Sequence, residues 1–410
     1  MQYVSQDWQN TNRDYFTRQS AVLLSITQAE GATPIIGGSN ILSFTHEKSG
    51  DILSGILTQD KIVAVINDPT NRLHFTDEDG NSIYKNARVQ VTEGFMRPNS
   101  TIYEGIDGGI YFISGIDQDS YQRKFTITAA TITAFMGEKL KDVHGVMTAE
   151  SLLEDVIYQA EHSKYVPSDD IAVHYDPVLK TVMVEYEESD DYSLAEVLQL
   201  IASACSCVLY VDRKGIIQIQ KLGDICEHYI LAGKILYSPL TVEYNDRIGN
   251  IELISNHGHT TTHTTFEGDN IGALQRASNY LLNDDNVVIP TALHMYDMLT
   301  AATKKYTAQC RVDPSIDLFD MIVVPYGKRV CPACVTGIEV TFSGAWKGSI
   351  KAVTVDGVQL DLRICDLELL TIEQIESLTI EQLQPNTISD IDGDYMATKY
   401  DELALWNGDD

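Results

Sequence analysis

The run Arg311-Val312-Asp313-Pro314-Ser315-Ile316-Asp317-Leu318-Phe319-Asp320-Met321-Ile322-Val323-Val324 decides the fold class, together with Val335-Thr336-Gly337-Ile338-Glu339-Val340-Thr341-Phe342-Ser343-Gly344-Ala345-Trp346-Lys347-Gly348. It reads as one strand, a Pro-containing turn, a second strand, a loop, and a third strand ending at a Gly-punctuated hairpin. Nothing in it points to chemistry.

The same rhythm fills the N-terminal part. Residues 22–27 form one apolar strand, and 88–92 alternate at period two. Residues 72–76 and 81–84 flank the turn Asp77-Glu78-Asp79-Gly80. Residues 110–116 and 124–130 complete an antiparallel meander. Evenly spaced strands with Gly-rich turns argue for a barrel or sandwich. The middle is mixed. A helix starts at Thr148, with Leu152, Leu153, Val156, Ile157 and Ala160 on one face. A second carries a capping box, Ser193 with Glu196, ahead of the stripe Leu194, Val197, Leu198, Ile201, Ala202 and Cys205. It feeds a hairpin of residues 207–211 and 216–220. Strands return at 240–244 and 251–255, and a third helix is expected over residues 273–282.

At 410 residues, two to four domains are expected. A hydrophobic content of 44 % with 21 Tyr supports folded cores. The 29 basic and 59 acidic residues give a net charge of −30. Phosphate backbones require Lys/Arg clusters, and the sequence holds none, which disfavours specific nucleic-acid binding and stable membrane insertion. The first residues show no basic region followed by an apolar run, so no signal peptide is expected. Residues 194–211, the longest apolar window, read as helix then strand rather than a membrane span.

Four motifs invite chemistry. Cys331-Pro332-Ala333-Cys334 has CxxC spacing, suited to redox work or half a zinc site; a loop with two reduced thiols is the plainer reading, since no second ligand pair follows. His257, His259 and His263 would suit a metal cluster or, in their Thr tract, a solvated loop. Asp390, Asp392 and Asp394 match the first positions of a calcium loop, but Tyr395 and Asp401 stand at its Gly and Glu positions. Asn99-Ser100-Thr101 is a formal glycosylation sequon. No nucleophile or nucleotide-binding signature is present, so no catalytic residue, cofactor or metal site is expected. Residues 361–410 are strongly acidic and contain an octad repeat, Leu370-Thr371-Ile372-Glu373-Gln374 and Leu378-Thr379-Ile380-Glu381-Gln382, read as short amphipathic helices starting at Thr caps.

The order of the parts resembles that of the tail hub proteins of long-tailed bacteriophages, over roughly residues 1–360. Residues 21–27 and 41–44 are similar to that family's opening barrel strands, 192–222 to its small inserted α+β domain, and 311–351 to its second barrel. The octads are similar to the short helical repeats, often Trp-bearing, at the ends of phage tail proteins, with Ile372 and Ile380 in the Trp places. The resemblance implies a mainly β protein with an α+β insertion. Its parts would be an arm (1–20), a first β-barrel (21–135), an α+β middle (136–235), a second β-barrel (236–360) and an acidic C-terminal extension (361–410). It implies a homotrimer at the distal end of a tail tube, whose two barrels per chain meet a sixfold ring and form part of a DNA channel. Partners would be the tail tube, distal tail proteins and tail fibre or tip proteins. Assembly would occur in the host cytoplasm and the final location would be the virion tail tip. A receptor- or carbohydrate-binding tail adhesin is the alternative, from the Tyr content and β-rich layout. The acidity either lines the channel, so that it does not hold phosphate, or serves solubility.

Overall fold

Period-two alternation builds the main sheet. The computed structural model describes residues 19–27, 35–37, 40–68, 86–96, 103–119, 123–168, 170–187, 192–223, 225–226, 231, 236–255, 260–264, 272–356, 358–360 and 370–378. The first part supplies β1 (Gln19–Thr27), β2 (Ile35–Gly37), β3 (Ile41–Ser49), β4 (Gln59–Asn67), β5 (Arg88–Met96), β6 (Tyr103–Asp119) and β7 (Lys124–Ala130). The middle holds β8 (Gly145–Thr148), α1 (Ala149–Glu161), β9 (Val173–Tyr175), β10 (Met183–Tyr186), α2 (Leu194–Ala204), β11 (Val208–Val211), β12 (Ile217–Gln220) and β13 (Ile225–Cys226). The last part holds β14 (Thr241–Tyr244), β15 (Ile248–Ile254), β16 (Thr260–Thr264), β17 (Ala273–Ser278) and α3 (Asp285–Ala301). It continues with β18 (Lys304–Cys310), β19 (Met321–Tyr326), β20 (Arg329–Phe342), β21 (Trp346–Thr354), β22 (Gln359–Leu360) and α4 (Ile372–Glu376).

The protein is mainly β, as expected, but the two β blocks are not two closed barrels. Among the described residues they form one open sheet in the order β14-β18-β21-β20-β3-β4-β7-β6-β5-β1-β2, with β19 also on β20. The cause lies in β20. Its first half pairs with β19 and its second half with β3, from Gly337 opposite Ser49 to Phe342 opposite Phe44. Against β21 the register slips between Val335 and Gly337, so one long bulged strand serves two neighbours along one edge. A shared core follows, in which Val22, Phe44, Ile62 and Val91 pack in one cluster with Tyr306, Val340, Trp346 and Ile350. Trp346 is 1 % exposed, meets Phe44 edge-on at 6.3 Å between ring centroids, and donates from Nε1 to the Gly94 carbonyl at 3.3 Å. The opposite face of the sheet is charge-mixed: Glu243 faces Lys305, and Lys61 binds Glu47 at 2.9 Å.

The helices expected at Thr148 and Ser193 are present. Thr148 caps α1, and Ser193 and Glu196 form the reciprocal capping box of α2. Both helices bury their stripes in a second core that also takes β15 residues Ile251 and Leu253 and α3 residues Val288 and Ala292. The helix expected over 273–282 is not there. Residues 273–278 are β17, paired in parallel with β15, and the helix follows at α3, capped by Asp284. Tertiary pairing overrides the helix-forming composition of Ala273, Leu274 and Gln275. The strand expected from Arg311 also shifts: β18 ends at Cys310, and 311–320 form the turn into β19. Thr371 and Gln374 form a capping box on α4, the first octad copy; the second copy lies outside the described residues. So do the expected N-terminal arm, apart from Gln19 and Ser20 of β1, and the turn at 77–80. No described helix is long and apolar enough to cross a membrane.

Candidate functional site

At one end of the sheet the inward rows change from apolar to charged. Phe44 is followed at the same parity by His46 and Lys48 on β3; Ile62 is preceded by Asp60 on β4; Val89 and Val91 lead to Glu93 on β5. Tyr111 joins from β6 at 1 % exposure. These side chains form one buried network. His46 Nδ1 meets Glu93 Oε1 at 3.0 Å, and Nε2 meets Asp60 Oδ1 at 3.0 Å. The Tyr111 hydroxyl donates to the Gly108 carbonyl at 3.0 Å, which leaves its oxygen to accept from His46 Nε2 at 2.6 Å. Both ring nitrogens therefore stand against oxygen acceptors, an arrangement that favours the protonated imidazole.

Two other parts of the chain close the network. Lys48 Nζ binds Asp317 Oδ1 at 2.6 Å and lies 3.8 Å from Asp60 Oδ2. Arg213, at the β11–β12 turn, binds Asp317 Oδ2 through Nε at 2.9 Å. Its other nitrogens donate to the carbonyls of Asp107 (2.8 Å), Pro314 (2.7 Å) and Ile316 (2.9 Å). Asp320 Oδ2 accepts the Asp317 backbone N–H at 2.6 Å and fixes the turn. His46, Lys48 and Arg213 face Asp60, Glu93 and Asp317, three basic side chains against three acidic ones. Burial would depress His46 and so would Lys48, but its bonds to Asp60 and Glu93 outweigh both and hold it above its ordinary value. Burial alone would raise Asp317; Lys48 and Arg213 instead hold it well below the carboxylate range. Burial, then Asp60 and Glu93, push the Tyr111 phenol well up.

This arrangement joins separate parts of the chain through buried charges. His46 is 3 % exposed and has no free ring nitrogen to take a proton. What the network does is fasten three parts together: the β3–β6 wall, the middle hairpin and the 311–320 turn. Ser54 and Thr58 add to the junction by donating to the Cys207 and Leu209 carbonyls of the middle unit. A concavity of about 450 Å³ elsewhere has mostly apolar walls, including Val208, Met298, Met321 and Val355, with Lys221 and His294 among its lining.

The residues flagged by motif do not converge. Cys331 and Cys334 stand within strand β20, not in a loop, and an offset of three sends them to opposite faces. Cys331 packs on the core shared by both blocks and Cys334 on a separate cluster with Leu318, Met321 and Val353. One metal cannot take both thiols from one strand in that arrangement. His263 lies on β16 opposite Ile251; His257 and His259 lie outside the described residues, as do Asp390, Asp392, Asp394 and Asn99. Among the described residues no group of three His, Cys, Asp or Glu is placed to hold a metal. Motif reading missed the network. Its signal was charged residues at the apolar parity of strands, in Phe44-x-His46-x-Lys48 and Val89-x-Val91-x-Glu93.

No protein-family model matches the sequence, and no curated protein matches it. Solved structures do. A tail protein from Neisseria meningitidis matches with a TM-score of 0.52 at 9 % identity, over 82 % of this chain and 97 % of that one. The 43 kDa tail protein of prophage MuSo2 from Shewanella oneidensis matches with a TM-score of 0.52 at 11 % identity, over 83 % and 99 %. A prophage tail protein from Listeria monocytogenes matches with a TM-score of 0.50 at 11 % identity, over 81 % and 94 %. The chain carries the fold of these tail proteins.

Proposed function

We propose that the chain is a structural component of a bacteriophage-type tail, a trimeric hub at the distal end of the tail tube. The observation that carries this reading is the β3–β20 junction, which joins both β blocks into one wall. Such a wall has unlike ends, β14 and β2. Head-to-tail pairing of unlike ends is a heterologous contact, which closes into a ring when the rotation allows, and it removes the exposed strand edges. In the hub, residues 21–135 and 236–360 act as two similar units, so three chains offer six contacts to a sixfold tube. Residues 136–235 brace them from outside the wall, and 361–410 form an acidic extension. The ring encloses part of a DNA channel, with the tail tube, distal tail proteins and tip or fibre proteins as neighbours. The protein acts by shape and contact rather than by turnover.

The buried network supports a mechanical role. An ion cluster that must keep all its partners favours one arrangement of the joined parts, because an unpaired buried charge is costly. Light scattering on the purified chain at micromolar concentration tests the assembly. A mass three times the chain's 45.6 kDa is expected. A monomer or dimer at every concentration contradicts the ring.

A further inference from the structure

The cavity of about 450 Å³ is walled by three parts of the chain: the middle hairpin, α3 and the strands β19 and β21 with the residues after β21. Concave, mostly apolar sites with a few polar groups at such junctions are where small ligands bind. Here the polar groups lack partners. Among the described residues no hydrogen bond or ion pair engages the Lys221 ammonium, the His294 ring or the Ser206 hydroxyl, all in the lining. Gln220 stands opposite Val208 in the β11–β12 ladder, so it shares the face of that lining residue, and its Nε2 is buried without a partner. A buried donor without an acceptor is costly, and an acceptor carried by a ligand removes the cost.

Ser206 adds a separate sign. The Cys207 N–H donates to the Ala202 carbonyl at 2.9 Å and closes α2 with Ser206 left-handed, at φ 56, where Gly fits without strain. Its side chain thus brings a hydroxyl to the wall at a cost in backbone energy. Burial holds His294 below its ordinary value, opposed by Asp297 and aided by Lys221, so at neutral pH the ring is uncharged and keeps one N–H to give. Ammonium, imidazole N–H, hydroxyl and amide N–H can all donate, and Lys221 brings the one positive charge. A carboxylate is an acceptor of single charge and fits that set. A phosphate, with about −1.5 to −2, would be over-charged beside the exposed Asp356 of the lining. We infer that this cavity binds a small carboxylic acid with an apolar body, its carboxylate toward Lys221 and His294 and its body against Met298 and Met321. An occupant would fasten the middle unit to the second β part. None of the lining lies on β14, β1 or β2, so the ring contact stays free, and the inference stands independently of the tail reading.

Titration of the full chain with octanoate, followed by NMR of isotopically labelled methionine methyl groups, tests it. Saturable shifts of the Met298 and Met321 signals are expected, half-complete in about the 0.1–1 mM range, while Met183 on β10 stays unmoved. Lys221→Gln should weaken octanoate about tenfold and leave the uncharged octanol unchanged. Lys221 is exposed, so the variant should keep the fold, which the other methionine signals report. Three results would overturn the inference: no shift at Met298 and Met321 well above that range, octanoate affinity unaltered by Lys221→Gln, or all nine methionine signals moving together without saturation.

Discussion

Arg213 and Asp317, 104 residues apart in sequence, meet at 2.9 Å and join the middle hairpin to the turn ahead of β19. The guanidinium has four acceptors within reach, one carboxylate and three backbone carbonyls. Arg213→Ala leaves Lys48 as the one cation at Asp317 and removes the donor shared by three backbone carbonyls, two of them part-buried. A loss of about 3–5 kcal/mol is expected from breaking a buried pair of this kind. Arg213→Lys keeps the charge and loses the fork, so it should lose less. Urea unfolding of both variants checks the order; equal losses would show that charge alone matters.

The pH dependence has two limbs. His46 is raised in the folded state, so its contribution is complete below its ordinary value of 6.5 and is lost as pH rises through the folded value. Asp317 is lowered, so its contribution is present above its ordinary 3.8 and is lost as pH falls from there. The melting temperature of the wild type should therefore exceed that of His46→Gln most below 6.5, and the gap should narrow as pH rises above it. Calorimetry across pH measures the gap, and a gap that widens on the alkaline side would refute the imidazolium assignment.

Trp346→Ala tests the fusion of the two β blocks. The ring fills the shared core beside Phe44 and Phe342 and bonds the Gly94 carbonyl of the first block. Removing it should cost about 3–5 kcal/mol. Hydrogen exchange should quicken in β5 as well as in β21. Change confined to β21 would mean that the blocks fold separately.

The thiols of Cys331 and Cys334 should stay apart. Mild oxidation of the native chain, followed by denaturation and alkylation, should leave both labelled. A Cys331–Cys334 disulfide in quantity would contradict their placement on opposite faces of β20.

Local signals were legible where they had no tertiary competitor. Ser193 and Glu196 specified the start of α2, and Thr371 with Gln374 that of α4, because both partners of a cap lie within one turn. Alternation located β5, and the strand-turn rhythm β1, β6 and β7. It did not locate β17, where Leu274 to Ala277 have helix-forming side chains and are held extended by β15. The helix α3 was hidden by Pro290 within it. Pro332 made 331–334 read as a loop, yet it pairs with Val323 in the ladder. The network was least legible, since His46, Glu93, Arg213 and Asp317 come from four separate stretches and only the fold brings them together.

Electron cryomicroscopy of particles carrying this protein, averaged at the tail tip, bears on the hub most directly. Three copies are expected in a ring at the distal end of the tube, with β14 of one chain beside the β1–β2 end of the next. Density for the chain elsewhere in the particle, or a tip ring without threefold arrangement of this chain, would contradict the proposal.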